Sequence, residues 1–196
     1  QWRRDDIIGS WQQSLARTGF QYHFKTGASA MAGYSFILSY PYGDYPAGPY
    51  HTTEHRIFEQ LMWNGNVGRI FLNHRLRLEQ RFVSKIDQTA PTYLITDWTY
   101  LNRARYQLRA ALPINHKKLT DKTWYALAFD EIMIGFGKNV KQNIFDQNRI
   151  GLLAGYQYNK VLRAEFGVFN QTLQQASLVA GKAVFQYNNG ILLNVF

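Results

Sequence analysis

From Arg69 to Phe82 the chain reads Arg-Ile-Phe-Leu-Asn-His-Arg-Leu-Arg-Leu-Glu-Gln-Arg-Phe, a long alternation of polar with large apolar residues. An extended strand has a side-chain period of two. Arg75, Arg77, Glu79 and Arg81 therefore share one face, and Ile70, Leu72, Leu76, Leu78 and Phe82 share the other. The run exceeds the usual length of a strand in a soluble sheet. If the pattern recurs in nearly every strand, a closed barrel with its apolar face in lipid and its polar face in the lumen becomes the natural solution.

The pattern does recur. Strands are predicted at 10–24, 28–40, 54–63, 69–82, 99–114, 123–135, about 149–157, 162–173 and 182–196, with Gln1 to Asp5 as the end of one more. Lys25-Thr26-Gly27, Asn64-Gly65-Asn66 and Asn159-Lys160 read as tight turns. Residues 41–50 and 84–98 read as long loops. The expected fold is all-β: an antiparallel up-and-down transmembrane β-barrel of about ten strands in this chain and ten to twelve in the full protein. Short turns face the periplasm and longer loops face outside. The chain is read as one barrel domain over residues 1–196, its N-terminal strand truncated because Gln1-Trp-Arg-Arg resembles the middle of a strand.

Composition narrows the function. No stretch approaches the roughly eighteen apolar residues of a helical span, so any crossing is by strands. The 13 Tyr and 5 Trp suit the two rims of a membrane barrel. With no cysteine there is no disulfide framework or thiolate chemistry. A net charge of +9 suggests nucleic acid, but the arginines are spaced by two inside strands and do not form one exposed patch, so no nucleic-acid partner is expected.

The last strand carries polar-x-Gly-x-x-apolar-x-apolar at Asn188, Gly190, Leu193 and Val195, resembling the signal read by barrel-assembly machinery. Other stretches add to this: Trp2-Arg3-Arg4-Asp5, Tyr40 to Tyr45, Glu54-His-Arg-Ile-Phe-Glu-Gln60, Arg75 to Arg81 and Gly135 to Arg149. Together the chain resembles the DUF2490 family of uncharacterised outer-membrane barrels of Bacteroidota. The resemblance implies an outer-membrane location in a Gram-negative bacterium, with lipid and lipopolysaccharide around the barrel. It supplies no catalytic residues.

By parity the inward set holds Arg17, Arg69, Arg75, Arg77, Arg81, Arg103, Arg105, Arg109, Arg149 and Arg163 against Glu79 and Glu165. A three-residue turn centred on Gly65 adds Glu59 to that set, because an ionised Glu in hydrocarbon is costly. Of the adjacent Asp130 and Glu131 only one faces inward, and the pattern leaves open which. A barrel of this size has little space beyond its own side chains, so the expected lumen is a filled charge network. The alternative is a narrow anion-preferring channel. Tyr42, Tyr45, Tyr50 and Trp98 form a candidate partner-binding loop, pointing to other outer-membrane proteins in a complex. A lipid-modifying enzyme is the weaker reading: His51, His55 and His74 lack a serine with a base and an orienting group. No metal-ligand spacing or cofactor motif is present, and the chain is read as non-catalytic.

Overall fold

A computed structural model describes residues 2–4, 11–41 and 48–196. Among them are nine long strands: β2 (Trp11–His23), β3 (Ser29–Ser39), β4 (Thr52–Val67), β5 (Ile70–Ile86), β6 (Ile95–Pro113), β7 (Thr123–Phe136), β8 (Phe145–Gln157), β9 (Arg163–Gln174) and β10 (Phe185–Val195). A short β1 (Trp2–Arg4) pairs with the start of β2. Every strand pairs antiparallel with its sequence neighbours, in one sheet that curls into a half-barrel. Among the described residues no ladder joins β10 to β1 or β2.

The β2–β3 turn follows its sequence. Gly27 has φ 83°, its N–H reaches the Phe24 carbonyl at 3.0 Å, and Phe24 N bonds Ala28 O at 2.9 Å. The β4–β5 turn does not. The expected loop at Asn64-Gly65-Asn66 is strand, with Asn64 opposite Asn73 and Asn66 opposite Phe71. The chain reverses instead at Gly68 and Arg69, between the paired Val67 and Ile70. Gly68 at φ 58° supplies the left-handed first position that such a two-residue hairpin requires. The expected loop at 84–98 is strand at both ends, with the connection confined to 87–94.

The sheet's two faces differ in kind. On the convex face Phe20, Leu152, Phe166 and Leu193 are exposed. The concave face is largely buried from β3 to β9 and has two layers. Toward the end that carries the tight β2–β3 and β4–β5 turns, Ala111, Tyr125, Leu127, Phe129 and Leu153 form an apolar cluster, with Phe71, Phe169 and Leu192 packed on it. Two glycines make room for its rings. Tyr125 lies opposite Gly155 and Phe129 opposite Gly151, and a Cβ on either glycine would run into the facing ring. Toward the other end the concave face is ionic.

Candidate functional site

Four neighbouring strands build the ionic layer, and three of them do so by placing charged residues two apart. β4 supplies Glu54 and Arg56, β5 supplies Arg75, Arg77, Glu79 and Arg81, β6 supplies Arg103, Arg105 and Arg109, and β7 supplies Glu131. Register then brings them together, with Arg56 opposite Arg81 and Glu79 opposite Arg103.

Glu79 is the hub, at 1% exposure. Its Oε2 accepts from Arg103 Nη2 at 2.6 Å and Nε at 2.8 Å. Its Oε1 accepts from Arg105 Nη1 at 2.8 Å and Arg56 Nη1 at 3.3 Å, with Arg77 Nη1 at 3.7 Å. Four guanidiniums thus surround one carboxylate, and further acids share their charge. Glu54 takes Arg56 and Arg81, Glu131 takes Arg75 and Arg105, and Asp146 takes Arg103 at 2.5 Å. Buried charges persist only where paired and hydrogen-bonded in this way. Arg77 also donates to Gln60 through both Nε and Nη2, and Arg77 and Arg17 lie 4.9 and 5.2 Å from the centre of the Phe58 ring.

A second, smaller centre lies beside the apolar cluster. Glu165, 1% exposed, accepts from Arg109 Nη2 at 2.7 Å, Tyr125 Oη at 2.9 Å and Asn194 Nδ2 at 3.3 Å. Arg163 sits 3.8 Å away and over the Phe196 ring. Arg149 donates to Gln147 at 3.2 Å.

Two expected members stand apart. Glu59 is on the convex face, opposite Leu78 and hydrogen-bonded by Gln80 Nε2 at 3.1 Å, because the two-residue turn at Gly68 fixes the parity that a turn at Gly65 would have reversed. Arg69 belongs to the turn itself and donates to the carbonyls of Pro113 and His116, tying two connections together. Arg17 keeps the expected inward parity at the sheet's more open β2 edge, opposite Ser35, to whose Oγ it donates at 3.2 Å.

Sequence reasoning missed Glu54, Arg56 and Asp146, and left Asp130 and Glu131 open. The shared parity of Glu54, Arg56 and Gln60 was a usable signal for the first two. Asp146 was not readable by parity, since a β-bulge at Met133/Ile134 gives β8 an extra residue and turns Asp146 toward Arg103. Glu131 faces inward while Asp130 faces out to Asn148.

At the long-loop end, Tyr42 and Tyr45 fall outside the described residues. Tyr50 donates to Ala90 O at 2.7 Å and packs on Tyr93, which also stacks on His51 at 4.4 Å. In the same connection Thr89 donates to Asp87 from its hydroxyl and its backbone N–H, holding that carboxyl below its ordinary range. Trp98 is on the convex side against His55, 5.0 Å between ring centres. His55 pairs with Tyr34 at 2.6 Å and His74 with Tyr106 at 2.8 Å. In β10, Asn188 and Gly190 share the concave parity, while Leu193 and Val195 are exposed on the convex one.

The arrangement offers dense charge neutralisation and rigidity. The family model described as "Protein of unknown function (DUF2490)" matches residues 1–180. No curated protein and no solved structure matches the chain.

Proposed function

The chain belongs to the DUF2490 family, and on that premise we propose that it is a non-catalytic outer-membrane β-barrel of a Gram-negative bacterium, a structural or accessory subunit of an envelope assembly. One observation carries the reading. The protein is inverted relative to a water-soluble sheet, with Leu61, Leu152, Phe166 and Leu193 exposed on the convex face while Glu79 and Arg103 are buried at 1% and 5% on the concave one. A contiguous exposed apolar face of this extent needs a lipid or protein covering, and an alternating strand that turns its polar side inward is the barrel pattern. Open sheet edges are not tolerated in hydrocarbon, so the β1–β2 edge and the β10 edge are closed into a barrel in the membrane. The tight turns then face the periplasm and the longer connections the exterior.

The lumen is filled, by the Tyr125–Phe129 layer at one level and the Glu79 network at another. Such a barrel anchors or positions; it does not conduct. A narrow anion-preferring channel is the second reading, favoured by the excess of arginine over carboxylate on the concave face. The partners of the first reading are lipid and lipopolysaccharide, the barrel-assembly machinery that reads β10, and other outer-membrane proteins.

Native purification from outer membranes solubilised in mild detergent tests this. The expected result is recovery from the outer-membrane fraction with one protein at fixed stoichiometry. Recovery from the soluble fraction overturns the membrane reading, and recovery from the membrane alone and unaccompanied overturns the subunit reading.

A further inference from the structure

The convex face is not uniformly apolar. Each strand from β4 to β10 carries a carboxylate or carboxamide there, namely Glu59, Gln80, Asn102, Asp130, Asn148, Asn170 and Asn189, and β9 carries a second, Gln174, at its loop-side end. Neighbours on adjacent strands meet. Gln80 Nε2 donates to Glu59 at 3.1 Å, Asn148 Nδ2 to Asp130 at 2.6 Å and Asn170 Nδ2 to Asn189 at 2.8 Å. Gln80 lies directly opposite Asn102, whose Oδ1 accepts from Tyr100 Oη at 2.8 Å. The result is a stepped polar belt, one run from Glu59 to Asn102 on β4 to β6 and a second from Asp130 to Asn189 on β7 to β10, the second set toward the turns so that Asp130 lies opposite Leu108.

Strand length gives the belt a meaning. β4, β5 and β6 run for 16, 17 and 19 residues, whereas about 9–11 residues of tilted strand cross the hydrocarbon of a bilayer. The surplus has to stand outside lipid at one end. Ile70 to Gln80 and Leu112 back to Asn102, from the turn to the belt, match the crossing length, and on this side the convex residues Leu61, Leu76, Leu108, Phe166 and Leu193 are apolar. On the loop side of the belt the convex face becomes mixed, with His55, Trp98, Tyr100 and Thr172 among the apolar Ile57, Phe82, Ile132 and Phe136.

We propose that this belt marks the loop-side boundary of the hydrocarbon, so that only the turn-side half of the sheet is embedded and the loop-side half stands among lipid headgroups. The proposal rests on the membrane reading above. It explains why carboxylates occur on a lipid-facing surface at all, since the cost of such groups falls away toward the interface.

The test uses single cysteines that flank the belt in pairs, Ile57→Cys with Leu61→Cys, Phe82→Cys with Leu78→Cys, and Tyr187→Cys with Ile191→Cys. Each is spin-labelled and folded into dioleoylphosphatidylcholine vesicles, and relaxation by oxygen is compared with relaxation by a water-soluble nickel chelate. Labels at 61, 78 and 191 are expected to favour oxygen, and those at 57, 82 and 187 to favour nickel. Three pairs keep the comparison intact if one variant fails to fold. Oxygen preference on both flanks overturns the boundary and leaves the membrane reading standing. Nickel preference on both flanks overturns the membrane reading itself.

Discussion

Arg103 holds Glu79 through two hydrogen bonds to one oxygen, Nε and Nη2 both reaching Oε2, while Arg105 and Arg56 hold the other oxygen. The carboxylate is therefore the shared counter-ion of a cluster in which removing one anion strands several cations. Glu79→Gln is expected to destabilise the fold by about 3–5 kcal/mol, the cost of breaking a buried ion pair by deleting one partner. Urea unfolding in detergent micelles measures it. A midpoint unchanged from wild type would remove Glu79 from the centre of the network.

Glu59 provides the contrast. It is one strand away from Glu79 but on the opposite face, with a single partner in Gln80. Glu59→Gln should therefore lie within about 0.5 kcal/mol of wild type in the same assay, as an exposed substitution does. A loss as large as that of Glu79→Gln would return Glu59 to the buried set and with it a turn at Gly65.

The apolar layer has its own weak points at Gly151 and Gly155, where Phe129 and Tyr125 occupy the space of a side chain. Gly155→Val should cost about 1–3 kcal/mol by overpacking. Gly65→Ala, where nothing lies within 4 Å, is the matched control and should be close to neutral. Equal loss in both, read from thermal unfolding, would contradict the ring-over-glycine packing.

Charge on the turn-side convex face should be resisted. Leu76→Arg and Leu108→Arg each place a cation where the proposed barrel meets lipid, at an expected cost of about 2–4 kcal/mol near the midplane. Folding yield into phosphatidylcholine vesicles is the readout. Yields as high as wild type for both would mean that this face does not meet lipid.

Sidedness follows from the connections. Thr26→Cys in the β2–β3 turn should resist a membrane-impermeant thiol reagent on whole cells, and Thr92→Cys in the β5–β6 connection should react. The opposite pattern inverts the barrel.

Much of this was legible in the sequence, and the failures share a cause. Period-two alternation placed Arg75, Arg77, Glu79, Arg103 and Arg105 on one face, because in long strands parity propagates over many residues. Errors arose where parity depends on a turn or a bulge. Asn64-Gly65-Asn66 has the composition of a turn, yet Val67 pairs with Ile70 and the strand continues through it, since Gly68 makes the tighter reversal. That difference alone moved Glu59 to the other face. The bulge that brings Asp146 to Arg103 adds one residue to one strand, and nothing in Phe145-Asp146-Gln147 announces it. Arg69, chemically identical to its inward neighbours, caps loop carbonyls because it sits in the turn and not in the ladder.

Single-protein conductance in planar lipid bilayers tests the central claim most directly. With the Glu79 network and the Tyr125–Phe129 layer both in place, wild-type protein should show no steady current, and Arg105→Ala should give measurable, unstable openings by removing the guanidinium that joins Glu79 to Glu131. A large, stable, anion-selective current from the wild type would contradict the filled lumen and make the arginines the lining of a pore.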